Sequence, residues 1–466
     1  MSKTNIPITK TIRHIYNSRL AVVLESVVIG FAVGFVVVLF RRLLTGADAL
    51  RRWMYATLLP GKPWYWMAGL VFALALIGLF LGWAAKVRPM IRGSGIPQVK
   101  GALHRQLSLN WAPELPLKLI TGVLGLGAGL SLGREGPSIQ IGAYVGMGIL
   151  TLLRRPYGER KFLVTAASAA GIAAAFNAPL AGVLFVLEEL QASFSPLLLA
   201  CAMGAAMAAD TVAGYFFGMG PVFDFRQIRI LPIHSFLWVA LLGVICALLG
   251  EFFKRTLYGS LDLYERLKIP QLFRPIIPLL VSIPLGFFLF DVSGGGHGLI
   301  ESLSEPGRSI ELLAVLLLGK ILFTVFSFGS GTSGGIFLPI LACGALTGRI
   351  LGDLLFAAGF ISETQILNLM ILGMAAFFTA VVKAPVTGIV LILEMSGNFS
   401  HMTTLVLVSL TSLVTTDLLA SRPVYGVLLD RILRNKKAKE ATDTGIGTSI
   451  AASTDTSAGA PGDKLG

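Results

Sequence analysis

Uncharged runs of membrane length alternate along this chain with shorter apolar segments broken by glycine and proline. Leu20 to Phe40 is apolar apart from Glu25, Trp66 to Ala85 carries no charge, and Met402 to Ala420 carries only Asp417. Each run is close to the ~20 residues a helix needs to cross a ~30 Å hydrocarbon core, so each predicts a full transmembrane helix. Pro137 to Leu153 and Pro179 to Leu187 are shorter and stand between Gly/Pro clusters, which predicts half-helices or strongly tilted ones. Broken helices are tolerated at membrane depth only where protein or a watery cavity satisfies the loose backbone groups.

The pattern repeats. Lys118 falls on Lys320, Gly127 on Gly329, Gly129 on Gly331, Gly133 on Gly335, Pro137 on Pro339, Gly142 on Gly344 and Gly146 on Gly348, all at an offset of 202 residues. Asn177 to Glu188 meets Lys383 to Glu394 at an offset of 206, and Gly93-Ser94-Gly95 stands 203 residues before Gly296-His297-Gly298. A period this long lies outside solenoid repeats of ~20–50 residues. In an apolar chain it indicates a transporter built from two halves.

Composition agrees with residence in lipid. The 466 residues are 55% hydrophobic and 14% charged, with a mean hydropathy of +0.78, well outside the range of a soluble domain. The net charge of +13 does not point to nucleic acid, because the basic residues are scattered through loops and termini, where membrane topology accounts for them. Lys3, Lys10, Arg13 and Arg19 precede the first span, and Arg431, Arg434, Lys436, Lys437 and Lys439 follow the last. The positive-inside rule therefore expects both termini in the cytoplasm. The first span has no small-residue cleavage site and is expected to remain as an anchor. With both ends on one side, two similar halves each cross an odd number of times if inverted and an even number if parallel. The expected organisation is a cytoplasmic segment at 1–19, membrane halves at 20–220 and 221–435, and a disordered cytoplasmic tail at 436–466, whose later part is too rich in small polar residues to bury a core. Cys201, Cys246 and Cys343 lie singly in apolar segments, so no disulfide framework or metal-ligand spacing is present, and no cofactor is expected.

Three segments concentrate glycine beside proline: Gly93-Ser94-Gly95-Ile96-Pro97, Gly133-Arg134-Glu135-Gly136-Pro137 and Gly334-Gly335-Ile336-Phe337-Leu338-Pro339. In the last two the proline precedes an apolar run, as it does in the first turn of a helix, where its missing N–H is no loss. A helix N-terminus presents unpaired N–H groups and about half a positive charge, which makes an anion site without a formal cation. A lysine or arginine would hold an anion too tightly for rapid transit, whereas partial charges release it. The simpler reading of any one such loop is close helix packing through small residues. Three of them in a two-fold repeat favour the anion site.

The two copies disagree at informative places. Glu135 has Phe337 as its mate and Arg134 has Ile336, so the loop backbone is duplicated and its side chains are not. A carboxylate beside a helix N-terminus in lipid responds strongly to a nearby anion. Ionised, Glu135 can occupy an anion position at the helix ends; protonated, it can leave that position to a halide. The alternative is a structural Arg134–Glu135 cap. Glu188 and Glu394 are mates, and the simplest account of both is hydrogen bonding to freed backbone groups. Glu189 faces Met395 and has no mate, which makes it a candidate proton relay, against the alternative of a carboxylate at a wet helix end. Lys118 and Lys320 are mates and are expected to tie down helices.

With these residues in place, residues 20 to 430 resemble the CLC family of chloride channels and chloride/proton antiporters. The resemblance rests on GSGIP at 93–97, GREGP at 133–137, GGIFLP at 334–339 and the isolated Tyr425 just past the last span. It implies an all-α polytopic membrane protein, an inverted two-fold repeat of tilted and broken transmembrane helices. It further implies a homodimer in a bacterial inner membrane with one pathway per subunit, handling chloride and protons. By the same resemblance, chloride is lined by the Ser94 hydroxyl, the N–H groups of Ile336 and Phe337, and the Tyr425 hydroxyl. Glu135 is then the gate and external proton acceptor, and Glu189 the internal one. Glu189 favours exchange over passive conduction, because channels of the family generally lack that acid, and Ser94 favours chloride over nitrate or fluoride. One departure stands out: Gln98 and Lys100 occupy positions that are acidic in some bacterial antiporters, which suggests an altered cytoplasmic entrance.

Two other readings compete. A passive chloride channel can use the same scaffold. An intramembrane serine protease is suggested by Gly331-Thr332-Ser333-Gly334-Gly335, which fits a nucleophile elbow. The repeat-related Gly129-Leu130-Ser131-Leu132-Gly133 fits equally well, however, and a catalytic serine has no reason to be duplicated. Of the five histidines, His297 in its glycine run is the most suggestive, though it has no evident partner in the sequence.

Overall fold

Glycine and proline punctuation divides this chain into seventeen helices, which the computed structural model describes over residues 8–443 apart from 59, 60, 62, 155, 156, 224, 226–229 and 306. The first eight are α1 (Ile8–Trp53), α2 (Trp64–Val87), α3 (Ile96–Leu103), α4 (Trp111–Gly127), α5 (Glu135–Leu152), α6 (Tyr157–Phe176), α7 (Pro179–Phe185) and α8 (Pro196–Phe217). The next eight are α9 (Phe236–Arg266), α10 (Ile276–Phe288), α11 (His297–Ser302), α12 (Ile310–Gly329), α13 (Phe337–Ala357), α14 (Ile366–Val382), α15 (Pro385–Ser396) and α16 (Met402–Leu418), and α17 (Val424–Asp443) closes the chain. Among the described residues, 8 helices are long and apolar enough to cross a membrane. The chain is a multi-pass membrane protein. Residues 436–443, expected in the tail, continue α17, and the rest of the tail lies outside the described residues.

Helices α1 to α8 recur in order as α9 to α16, and the second set is inverted against the first. The short helices α7 and α15 begin at Pro179 and Pro385, whose fixed φ suits a first helical position. They lie antiparallel, each ending in a glutamate that reaches the start of the other. Glu394 accepts from the N–H groups of Leu180 at 3.0 Å and Ala181 at 2.7 Å. Glu188 accepts from the Thr387 N–H at 2.8 Å and the Thr387 hydroxyl at 2.7 Å. Each carboxylate therefore satisfies the orphan donors of its partner helix, the structural role expected for both residues.

The buried lysines are equally symmetric. Lys118 donates to the carbonyls of Ile91 and Gly93, and Lys320 to those of Val292 and Gly294, at 2.7–3.0 Å. Each anchors the glycine loop that precedes α3 or α11. These bonds also correct the register read from sequence. Gly93 matches Gly294, and the left-handed Gly95 (φ 88°) matches Gly296 (φ 105°), so the offset here is 201 rather than 203. The mate of Ser94 is Gly295, and His297 pairs with Ile96. Gly294-Gly295-Gly296 and Gly296-His297-Gly298 both carry glycine at first and third positions, so the sequence alone permits the two-residue slip.

Glycine also sets the spacing of the longest contacts. A Cβ added at Gly373 in α14 falls 2.3 Å from the Gly344 carbonyl oxygen in α13, and one at Gly171 in α6 falls 2.3 Å from the Ser138 oxygen in α5. In lipid, where no hydrophobic drive separates helix from solvent, such close backbone approach supplies the packing that holds helices together. Gly373→Ala should therefore lower the thermal midpoint of the detergent-solubilised protein by several degrees, about 1–3 kcal/mol of overpacking. Gly46→Ala, where a Cβ meets nothing within 4 Å, should leave it unchanged or slightly raised.

Candidate anion and proton site

The three glycine-rich loops converge at the centre of the fold through backbone hydrogen bonds between the halves. Gly93 donates to the Thr332 carbonyl at 3.1 Å and receives Gly334 at 3.0 Å, while Gly133 and Gly335 exchange bonds of 2.6 and 2.7 Å in an antiparallel bridge. The loops thus bring α3, α5 and α13 to begin side by side. A Cβ at Gly136 falls 2.8 Å from the Ser94 Cβ, so only glycine lets the first turns of α5 and α3 touch. Helix N-termini whose first N–H groups lack an intrahelical partner gather there, and their partial positive charges add.

Glu135 is the first residue of α5 and has 0% exposure. Neither carboxylate oxygen finds a hydrogen-bond partner of good geometry, although the carboxylate lies toward the N–H groups of Glu135 itself and of Leu338 at the start of α13. The Arg134 Nε forms an ion pair with the Glu135 carboxylate at 3.9 Å, while the Arg134 side chain makes no N-cap hydrogen bond. Ser94, Ile336, Phe337 and Tyr425 are all buried. The Ser94 hydroxyl accepts the Ile96 N–H at 3.3 Å, which leaves its own proton free to donate. The Tyr425 hydroxyl, in the first turn of α17, is buried with no partner. Its ring belongs to an aromatic collar: Phe185 lies 6.4 Å from Tyr425 and 5.9 Å from Phe337, which also packs on Phe176 and Phe378. Sequence reading missed this collar because aromatics in apolar helices carry no distinguishing pattern.

Glu188 and Glu189 lie on a π-helical turn, Val186–Gln191, that continues α7. Neighbours on a helix point in different directions, so Glu188 reaches α15 while Glu189 turns to α3. There Lys100 donates to the Glu189 Oε1 at 2.7 Å, and Glu189 is 5% exposed. Gln98, the other unusual residue of α3, bonds the Arg92 carbonyl instead. Tyr425 lies within electrostatic reach of both Glu189 and Glu135. A cavity of about 190 Å³ opens beside Arg134 and Leu338, lined also by Asp48, Arg51, Arg52 and His297 among others. His297 bonds Glu301 at 3.3 Å and stacks on Phe223. The serines of the protease reading do not form a catalytic pair: Ser131 bonds Thr324 at 2.7 Å, the Ser333 hydroxyl has no partner, and neither meets a histidine among the described residues.

The family model described as voltage gated chloride channel matches residues 77–417. The chain belongs to that family. Its relatives in this CLC family include the H(+)/Cl(-) exchange transporter ClcA of Citrobacter koseri, 32% identical with 91% of each chain covered. The transporter of the same name from Cronobacter sakazakii is 34% identical, covering 81% of this chain and 82% of its own. Among solved structures, a slow cyanobacterial Cl-/H+ antiporter superposes with a TM-score of 0.83 at 27% identity, covering 89% of this chain and 99% of its own. A CLC-type fluoride/proton antiporter gives 0.72 at 25% identity, covering 85% of this chain and 95% of its own. The CLC fold read from the motifs is thus the fold of this protein.

Proposed function

We propose that this protein exchanges chloride for protons across a bacterial inner membrane, working as a homodimer with both termini in the cytoplasm. The observation that carries the reading is Glu135, a wholly buried carboxylate without a hydrogen-bond partner of good geometry, set where the first turns of α5 and α13 meet. The exchange transporters and antiporters among its relatives support it.

Ionised, Glu135 occupies the positive potential of the gathered helix ends and excludes a halide. A proton removes that charge, the neutral side chain withdraws, and chloride takes the place of the carboxylate. Ser94 and Tyr425 each offer a hydroxyl proton, and Ile336 and Phe337 offer backbone N–H groups. None is a fixed cation, so the ion binds weakly enough to leave. The proton leg runs from Glu189 past Tyr425 to Glu135, two carboxylates with Tyr425 in electrostatic reach of each. Because the same Glu135 carboxylate both accepts the proton and yields to the anion, neither substrate completes a cycle alone. Ser94, rather than a residue without a hydroxyl, suits chloride over nitrate.

In liposomes, a chloride gradient is expected to drive protons uphill through the purified protein. Glu135→Ala and Glu189→Gln should each lower proton flux by about 100-fold or more, while chloride flux continues. Chloride movement without protons in the wild type overturns exchange in favour of a passive channel. Calorimetric titration with chloride should show Tyr425→Phe binding about tenfold more weakly, the loss of one hydrogen bond to a charged group. Unchanged affinity removes Tyr425 from the site.

A further inference from the structure

The structure gives Lys100 a single polar partner among the described residues, the carboxylate of Glu189. The two side chains are 19% and 6% exposed, so the pair is largely shielded from solvent screening. Lys100 stands one turn into α3, the helix that begins beside Ser94, and Glu189 stands on the π-helical turn packed against it. Gln191 of that turn is separately held by the Thr165 hydroxyl of α6, and the His104 ring meets the Leu190 carbonyl. The backbone carrying Glu189 is thus fixed without Lys100. Burial acts on Glu189 against its charge, and Lys100 acts for it. Glu188 opposes its charge from the same turn but is engaged with α15, and Tyr425 faces it from α17. Lys100 is the cation in contact with it among the described residues, at 2.7 Å.

We propose that Lys100 is a positioning residue that holds Glu189 ionised between transport cycles and so sets the cytoplasmic pH at which Glu189 accepts a proton. The inference rests on the reading of Glu189 as internal proton acceptor. An opposite charge in contact favours the ionised carboxylate, so protonation of Glu189 works against its pairing with Lys100 before the proton can pass on toward Glu135. Removing the cation makes protonation easier, and the sign follows: proton uptake persists to higher pH.

The test compares wild type, Lys100→Gln and Lys100→Arg in liposomes, recording chloride-driven proton flux against pH. Infrared spectroscopy of the same samples follows the protonated carboxyl band that Glu189→Gln abolishes, and so reads the titration even in a variant that transports poorly. Lys100→Gln should raise the midpoint of both by about one unit or more, Lys100→Arg should stay near wild type, and Lys100→Gln should have no effect on the pH profile of chloride flux in a Glu189→Gln background. An unmoved midpoint in Lys100→Gln, with proton flux still lost in Glu189→Gln, overturns the role of Lys100 and leaves the exchange reading standing. Proton flux that survives Glu189→Gln overturns the internal-acceptor reading and this inference with it.

Discussion

Everything in this protein depends on helices that start in the middle of a membrane. A helix that begins at depth leaves N–H groups without partners, and lipid offers none, so the first turns must be brought together and supplied from within. The chain does this by inversion. Two halves of opposite orientation deliver their broken helices to a common centre, where Gly133 and Gly335 bond each other and Gly93 bonds the strand of Thr332 to Gly334. Glycine is required because the backbones touch. The result concentrates the positive partial charge of several helix ends in one place, next to the Arg134–Glu135 pair.

Symmetry handles stability, and its violations supply the chemistry. Lys118 and Lys320 bind equivalent carbonyls, and Glu188 and Glu394 cap each other's partner helices. These paired residues hold the scaffold twice over. Glu135, Glu189 and Tyr425 have no such counterparts: Glu189 pairs with Lys100 instead of capping a helix, and the Glu135 carboxylate and the Tyr425 hydroxyl have no hydrogen-bond partner of good geometry. The neighbouring residues 188 and 189 show the division most clearly, because a turn of backbone sends one to α15 as a cap and the other to α3 as an ionisable group.

Motif spacing made much of this legible. The broken helices, the capping role of the mated glutamates and the anchoring role of the mated lysines follow from which residues are duplicated, since a duplicated polar residue in lipid must meet a duplicated backbone need. Reading failed where composition repeats itself. Glycine triplets before α11 allowed a two-residue slip, and only the lysine contacts fixed the register. The aromatic collar of Phe176, Phe185 and Phe378 was invisible because phenylalanine in an apolar helix looks like any other lipid or core contact.

The sequence by itself determined that the chain lives in lipid, that it is two related halves, and that Glu135 and Glu189 break their symmetry. Hydropathy, period and residue identity are local properties, and they survive without coordinates. Only the tertiary structure decided that the loops of opposite halves touch, that Lys100 turns to Glu189 while Gln98 does not, and that Tyr425 lies within electrostatic reach of both acids. Those facts depend on the directions of side chains across helices about 90 residues and more apart, which no spacing along the chain can specify.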